Sequence, residues 1–269
     1  MPEVFYISRT ASSFKLTYCR IPNEAGRSLP ERDPDKGKRF DNVRRARTSF
    51  LDIGQCNHWE YMATFTSGCS DPSRDIRATP KWFNNWNSHH SASIRYLMVF
   101  ERGEIGNRLH SHILLDNVPD NFVQPYSPSQ YARLPYNLKR LYSLYKTDTG
   151  TRLAFCPWWR FGWSTLVPVD SSPKVVSYMT KYMTKQNIEF TTSFGGHSYF
   201  CSKGLLRPEK RKIPADIVGA MYSRVPAGSW STSFKDENGN NLTSCTILDR
   251  DKIGPILWEY YSNIYDSLQ

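Results

Sequence analysis

The sequence lacks the features that mark several large protein classes. Its six cysteines are scattered and include no CxxC pair, which disfavours a disulfide framework and a structural zinc site. No apolar run is long enough to cross a bilayer, no signal peptide is recognisable, and no GxxxxGK[ST] phosphate loop is present. We therefore expect free thiols in a reducing cytoplasm, no membrane partner and no fused ATP-driven helicase.

Acidic residues are comparatively few. Lysine and arginine number 35 against 25 aspartates and glutamates, so the formal net charge is +10. Because lysine and arginine release condensed counterions when they bind phosphates, this surplus favours a polyanionic partner, although a merely basic protein has it too. Aromatic residues make up 14% of the chain, and they can fill a core or stack on unpaired bases. The composition therefore indicates a folded protein and is compatible with a nucleic-acid partner.

The order of the patterned segments predicts an α+β fold with a central antiparallel β-sheet flanked by helices. Short β-type runs such as "EYMATFTS", "IRYLMVFE" and "LHSHILL" alternate with amphipathic stretches. We expect N-terminal strands and a basic loop at 1–48 and a central domain at 49–190, which contains an insertion at 117–160. A basic C-terminal extension at 191–269 is expected to pack on the same domain.

Five basic residues are candidate contacts to a nucleic-acid backbone. Three cluster near the start of a helix predicted over 42–54, and two lie in a later stretch: Arg44, Arg45, Arg47, Lys203 and Arg207. A solvated surface explains such residues as well as phosphate contacts do.

Two histidines form an HxH motif in a predicted strand. Alternate residues of a strand share a face, so His110 and His112 point the same way, and a divalent cation would satisfy both imidazoles. If the intervening turn is centred between Ile105 and Gly106, Glu101 lies directly opposite the first histidine. A one-residue slip would turn this carboxylate away, and a solvated charge at a strand end is the alternative. With the predicted register, two nitrogens and one oxygen suit Mg²⁺ or Mn²⁺.

A tandem repeat, YMTK-YMTK, lies in a segment that predicts one helix from Ser172 to Asn187. At about 100° per residue, the tyrosines and their lysines share a face that adjoins an apolar stripe: Tyr178, Lys181, Tyr182 and Lys185. A phenol can attack phosphorus once it is ionised, and a lysine one turn away favours the phenolate. An amphipathic helix with lysines at its edges has the same pattern. The predicted metal site makes the catalytic interpretation the stronger one.

Together these segments resemble the HUH endonucleases, specifically the replication-initiation proteins of small plasmids and single-stranded-DNA phages. Three blocks occur in the family's order: "MATFTS" at 62–67 as a hydroxyl-terminated strand, "RLHSHILL" as the histidine strand, and "SYMTKYMTK" as the tyrosine helix. Ser111 departs from the family, which has an apolar residue between the histidines. The departure weakens burial of the strand but leaves the ligands untouched. The block order separates the chain from relaxases, and the paired tyrosines resemble the phage type.

The resemblance implies a strand-transfer mechanism. His110, His112 and Glu101 would hold a divalent metal, Mg or Mn, that polarises the scissile phosphate. Tyr178 or Tyr182 would attack this phosphate, leaving a 5′-phosphotyrosine and a free 3′-hydroxyl. The second tyrosine would act after one round of replication.

The resemblance also implies partners. These are single-stranded DNA or an origin hairpin, together with a host helicase and polymerase, in the cytoplasm of a bacterial host cell. Lys181 and Lys185 would stabilise the phosphate or the phenolate. Three alternatives stay open: a non-catalytic nucleic-acid-binding module, a single-tyrosine HUH transposase, and a metal-dependent hydrolytic nuclease in which water attacks.

Overall fold

The structure, a computed structural model, describes most of the chain. The described residues are 3–10, 12–20, 40–67, 72–103, 108–148, 150–170, 172–235 and 241–268. They fall in two compact units. The central unit is Asp35–Leu206, and in the terminal unit Met1–Pro34 joins Arg207–Gln269.

Strands and helices alternate as the sequence predicts, and the α+β class is confirmed. The strands of the described residues are β1 (Glu3–Arg9), β2 (Ser13–Arg20), β3 (Tyr61–Thr66), β4 (Arg95–Arg102), β5 (Leu109–Asp116), β6 (Gln124–Pro125), β7 (Lys146–Thr147), β8 (Gly150–Thr151), β9 (Ala154–Phe155), β10 (Ser164–Pro168), β11 (Phe200–Cys201), β12 (Lys210–Ile213), β13 (Trp230–Lys235) and β14 (Asn241–Asp249). The helices are α1 (Phe40–Cys56), α2 (Pro72–His89), α3 (Pro128–Tyr131), α4 (Tyr136–Leu144), α5 (Ser172–Met179), α6 (Lys185–Gly195), α7 (Ala215–Tyr222) and α8 (Arg250–Ser267), with 3-10 turns at Asp120–Phe122 and Thr180–Tyr182.

The central unit is built on an antiparallel sheet with the strand order β11-β4-β5-β3-β10-β9-β6. Helices pack against both faces of its middle strands β4, β5 and β3. The insertion predicted at 117–160 contributes β9, the edge strand β6, the small hairpin of β7 and β8, and the helices α3 and α4.

Alternate residues of β4 and β5 enter two separate cores, because successive side chains of a strand point to opposite faces. On one face Met98 and Ile113 belong to a core with Phe83 of α2. On the other face Leu114 belongs to a core with Phe50 of α1 and with apolar residues of α5 and α6. By the same alternation, the even-numbered histidines of β5 lie on this second face.

The prediction of one continuous helix over 172–187 is wrong. After α5 and a 3-10 turn, the backbone leaves helical geometry at Met183 (φ −89°, ψ 51°), and α6 starts afresh. Thr184 caps the new helix, since its side chain accepts a hydrogen bond from the amide of Asn187. Asn187 therefore lies inside α6 rather than at a helix end. Lys185 is the first residue of α6, so the wheel position predicted for it does not apply.

The terminal unit is a second antiparallel sheet, with the order β12-β1-β2-β14-β13. Its core joins Phe14 and Leu16 of β2 to Met221 of α7 and Tyr261 of α8. The strands expected in the first twenty residues are thus present, and they pair with strands from the other end of the chain.

The boundaries of the two units differ from those expected from the sequence. The sequence assigns the chain ends to separate segments, 1–48 and 191–269, whereas β2 pairs with β14 and β1 with β12. Pairing between strands so distant leaves no local pattern, because periodicity reports only neighbouring residues. That the C-terminal extension packs on the central domain stays a prediction.

Within the part of the chain that the structure describes, no helix is both long and apolar enough to traverse a bilayer.

Candidate functional site

The hairpin of β4 and β5 brings a carboxylate to the histidines. Its register pairs Glu101 with His110, as the sequence predicts. On the other side of β5, His110 lies opposite Thr66 of β3, and His112 lies opposite Thr64. Residues that are directly opposite share a face of the sheet. One end of this face therefore carries two imidazoles, two hydroxyls and a carboxylate.

The two threonines hold the imidazoles. Thr66 Oγ1 lies 2.9 Å from His110 Nδ1, and Thr64 Oγ1 lies 3.1 Å from His112 Nδ1. A hydroxyl can donate or accept, so it supports either tautomer of its histidine. Fixing Nδ1 orients the ring and directs Nε2 away from β3, as second partners of metal-ligating histidines do. The sequence indicated hydroxyls at the end of this strand but gave them no role.

Glu101 is the third polar group of the site. Its Oε2 lies 3.0 Å from His112 Nε2, and this hydrogen bond lowers the pKa of Glu101. Burial lowers the pKa of His112 and of His110 below the ordinary histidine value, although the nearby Glu101 acts in the opposite direction. Near neutral pH the site therefore holds two neutral imidazoles and an ionised carboxylate.

This donor set fits a hard divalent cation by its chemistry. Neutral imidazole nitrogens and a carboxylate are the protonation states that metal ions bind. The ring centroids of His110 and His112 are 6.4 Å apart. Among the described residues no three His, Cys, Asp or Glu side chains already surround one point closely enough to hold an ion. Metal binding therefore stays a prediction, with His110, His112 and Glu101 as its ligands.

Gly103 leaves room for the first histidine. A Cβ at this position would lie 2.5 Å from His110 Nε2, so any side chain would displace the imidazole. The Gly103 amide continues the hairpin by donating to the Arg108 carbonyl at 2.8 Å. The predicted turn centre, between residues 105 and 106, lies outside the described residues.

Ser111, the departure from the family pattern, is buried on the opposite face of β5. Its hydroxyl donates to the Phe65 carbonyl at 3.1 Å. A buried hydroxyl with a partner costs little, which explains why a polar residue is tolerated between the histidines.

Tyr182 packs directly on the histidine strand. Its ring stacks on His112 with 3.6 Å between centroids and 12° between planes. The 3-10 turn that carries Tyr182 is tied to α6, because Asn187 Nδ2 donates to the Tyr182 carbonyl at 2.9 Å. Burial raises the pKa of Tyr182, and the adjacent Tyr178 and Glu101 raise it further. This phenol is therefore held against the site in its protonated form.

Tyr178 is the more exposed and more acidic of the pair, with 47% of its surface accessible. Its Oη lies 3.2 Å from that of Tyr182, and Lys181 Nζ donates a hydrogen bond to it. Burial raises the pKa of Tyr178, but the hydrogen bonds from Lys181 and Tyr182 and the charge of Lys181 together lower it below the ordinary value. The arrangement favours the ionised form of Tyr178.

The remaining candidate residues are exposed, or their side chains are outside the described part of the chain. The exposed basic candidates are Arg45 and Arg47 in α1, Lys203 in the central unit and Arg207 in the terminal unit. Two candidate side chains are outside the described residues, those of Arg44 and Lys185. Contacts of these residues with DNA stay predictions.

Comparison with known proteins gives one family. Residues 60–187 match the model of the family described as Replication-associated protein ORF2/G2P. This segment includes β3, the β4–β5 hairpin and both tyrosines of the site. No curated protein and no solved structure gives a significant match to the chain.

Proposed function

We propose that the chain initiates rolling-circle replication by nicking and rejoining single-stranded DNA, and the match of residues 60–187 to the model of the replication-associated protein ORF2/G2P family supports a role in replication. The observation that carries this proposal is the contact between the tyrosine pair and the histidine strand. Tyr182 stacks on His112, and Tyr178 is hydrogen-bonded to Tyr182 at 3.2 Å. The proposed nucleophile is therefore hydrogen-bonded to the ring that stacks on the histidine strand.

The first step is an attack by Tyr178 on the scissile phosphate. Lys181 lowers the pKa of the phenol and favours the phenolate. The phenolate oxygen forms a bond to phosphorus while the bond from phosphorus to O3′ breaks. The 3′ oxygen takes up a proton and becomes a hydroxyl that can prime a polymerase, and the 5′ end remains on the enzyme as a phosphotyrosine.

His110, His112 and Glu101 are the residues that would hold Mg²⁺ or Mn²⁺. When bound, such a cation supplies a Lewis acid for the phosphate oxygens. Thr64 and Thr66 keep the imidazoles turned toward this position through their contacts with the two Nδ1 atoms.

Tyr182 is suited to the second transfer. Burial raises the pKa of Tyr182. While Tyr178 is unmodified, its hydrogen bond and its charge raise that pKa further. Esterification of Tyr178 replaces its phenolate by a phosphate ester and makes Lys181, whose Nζ lies 4.6 Å from the Tyr182 ring centroid, available to Tyr182. Tyr182 can then attack the phosphate of the regenerated junction, which breaks its bond to O3′ and releases a 3′-hydroxyl. This hydroxyl attacks the phosphorus held on Tyr178, so the new bond to O3′ closes the circle while the bond from Tyr178 to phosphorus breaks and the phenol takes up the proton.

The test is a denaturing gel of labelled single-stranded oligonucleotides incubated with the protein and Mn²⁺. We expect a covalent adduct that resists denaturation, disappears with protease and requires the metal. Cleaved DNA with a free 5′-phosphate and no adduct would identify a hydrolytic nuclease instead.

Removing the threonine hydroxyls should weaken metal binding. Thr64→Val and Thr66→Val keep the side-chain shape but leave one imidazole Nδ1 without its partner. We expect about a 10- to 100-fold lower affinity for Mn²⁺ in calorimetric titration of each variant, the usual cost of losing a second partner. Thr165→Val, on the adjacent strand β10, is the matched control. If both site variants bind Mn²⁺ as tightly as wild type, the hydroxyls do not position the imidazoles for metal binding.

Lys181 should control the acidity of Tyr178. In wild-type protein, burial raises the pKa of Tyr178 but Lys181 and Tyr182 lower it to below the ordinary value of 10.0. Lys181→Met removes a group that lowers the pKa of Tyr178 and leaves the burial that raises it, so the pKa of Tyr178 should rise. Titration of protein carrying ¹³Cζ-labelled tyrosine, with the Tyr178 signal assigned from Tyr178→Phe, measures the shift. Lys174→Met in α5, the helix that carries Tyr178, is the control. If Tyr178 titrates at the same pH in Lys181→Met as in wild type, the role assigned to Lys181 is wrong.

A further inference from the structure

The segment that connects β9 to β10 exposes large aromatic rings. This segment, 157–163 with the sequence PWWRFGW, is called the aromatic loop below. Trp158, Phe161 and Trp163 are 40%, 54% and 43% accessible. The loop contains no acidic residue and includes an exposed arginine, Arg160. The loop thus exposes three aromatic rings within six residues, and exposed apolar surface of this kind is common where proteins bind a partner.

The exposed rings are held in place by contacts underneath them. Trp159 is buried, donates from Nε1 to the Thr66 carbonyl at 3.2 Å, and packs against Phe161 at a centroid distance of 5.0 Å. Trp158 donates from Nε1 to the Asn121 carbonyl at 2.8 Å. Rings fixed in this way lose little conformational entropy when a ligand binds.

The loop leads to the proposed catalytic face. The register of β10 with β3 pairs Ser164 with Phe65, so the next position places Trp163 opposite Thr66. The Thr66 amide donates a hydrogen bond to the Trp163 carbonyl at 2.8 Å, so the pairing of the two strands extends to these residues. Thr66 in turn lies opposite His110. Trp163, Thr66 and His110 therefore form one row across three strands, on the same face of the sheet.

The chemistry of the loop favours single-stranded nucleic acid over other occupants. Every base has a π-face that can stack on an indole or phenyl ring, and an arginine between the rings can contact the backbone phosphates. In a duplex these faces are already stacked and cannot reach the loop.

We propose that the aromatic loop is a base-stacking subsite that binds the unpaired nucleotides beside the scissile phosphate. The proposal rests on the proposed function, because it takes DNA as the substrate. It adds the reason why this site prefers single strands to duplex, and it assigns Trp158, Phe161 and Trp163 as the residues responsible.

The test is equilibrium binding to fluorescein-labelled dT20, measured in EDTA so that no strand transfer occurs. The triple variant Trp158→Ala, Phe161→Ala, Trp163→Ala should bind dT20 about 10- to 100-fold more weakly than wild type, given the usual strength of base stacking on aromatic side chains. Binding to a 20-nucleotide abasic strand and to a 20-base-pair duplex should change less than about threefold, because neither offers an unstacked base. The double variant Tyr131→Ala, Tyr136→Ala removes exposed rings elsewhere in the same unit and is the matched control.

A leucine triple variant at the same three positions separates stacking from general apolar contact and protects against a folding defect. It keeps apolar surface but removes the rings, so it should lose dT20 binding as the alanine variant does, while its thermal melting stays that of wild type. Unchanged dT20 binding would overturn the proposal and leave the loop as a protein-docking surface. An equal loss for the abasic strand would also overturn it.

The proposed strand-transfer function can be refuted independently of the base-stacking subsite. Binding of dT20 in EDTA requires no strand transfer, so it is measured independently of adduct formation with Mn²⁺. A wild-type protein that binds dT20 through the loop yet forms no adduct would refute the strand-transfer proposal and retain the subsite.

Discussion

Replacing Tyr178 with phenylalanine is expected to lower the rate of covalent adduct formation by about 10³-fold or more, since the reacting oxygen is lost. Phenylalanine retains the ring that lies 3.6 Å from Lys181 Nζ, so local packing should persist. The measurement is the single-turnover rate of adduct formation with labelled single-stranded DNA in excess Mn²⁺.

Tyr182→Phe distinguishes the two tyrosines. It removes one hydrogen bond to Tyr178 but keeps the ring that stacks on His112. We expect a loss of about tenfold, the order that one hydrogen bond to a charged group contributes. Tyr136→Phe, at an exposed tyrosine far along the chain in α4, should leave the rate unchanged. A greater loss in Tyr182→Phe than in Tyr178→Phe would reverse the assigned roles.

His110→Ala is expected to lower metal-dependent adduct formation by about 10²- to 10³-fold, the usual effect of weakening a group that stabilises developing charge. His110 is the better test of the two histidines. His112 is more deeply buried and supports the Tyr182 ring, so its replacement would also disturb packing.

A metal titration tests whether His110 acts as a metal ligand. The variant should need a higher Mn²⁺ concentration for half-maximal rate, and EDTA should abolish the wild-type activity. His89→Ala, at an exposed histidine at the end of α2, should behave as wild type. Wild-type rate and metal dependence in His110→Ala would exclude this histidine as a ligand.

The hairpin at the centre of the site could be predicted from the sequence. Two apolar strands with period-two alternation flank a short polar segment, and the symmetry of that segment fixes which residues face each other. Glu101 is opposite His110 for this reason. Local information was sufficient because the two strands are consecutive in the chain.

The partners of the histidines on β3 could not be predicted in the same way. Between β3 and β5 the chain passes through α2 and β4, so no turn sets the register of Thr64 and Thr66. The same reason hides the pairing of the chain ends in the terminal unit, where β2 meets β14.

The break in the tyrosine helix was missed for a different reason. The repeat YMTK-YMTK has a helical period throughout, and nothing in its apolar pattern marks an end. Thr184 decides the outcome, because its side chain caps a new helix and competes with continuation of the old one. The break places Tyr182 on a 3-10 turn, from which its ring stacks on His112.

The most direct test of the strand-transfer account is to locate the covalent bond. The adduct formed with a single-stranded oligonucleotide and Mn²⁺ would be digested with nuclease and protease, and the modified peptide would be sequenced by mass spectrometry. The account predicts a nucleotide attached through its 5′-phosphate to Tyr178, with Tyr182 unmodified after the first nick. A cleaved strand with a free 5′-phosphate and no modified tyrosine, or an attachment outside this tyrosine pair, would contradict it.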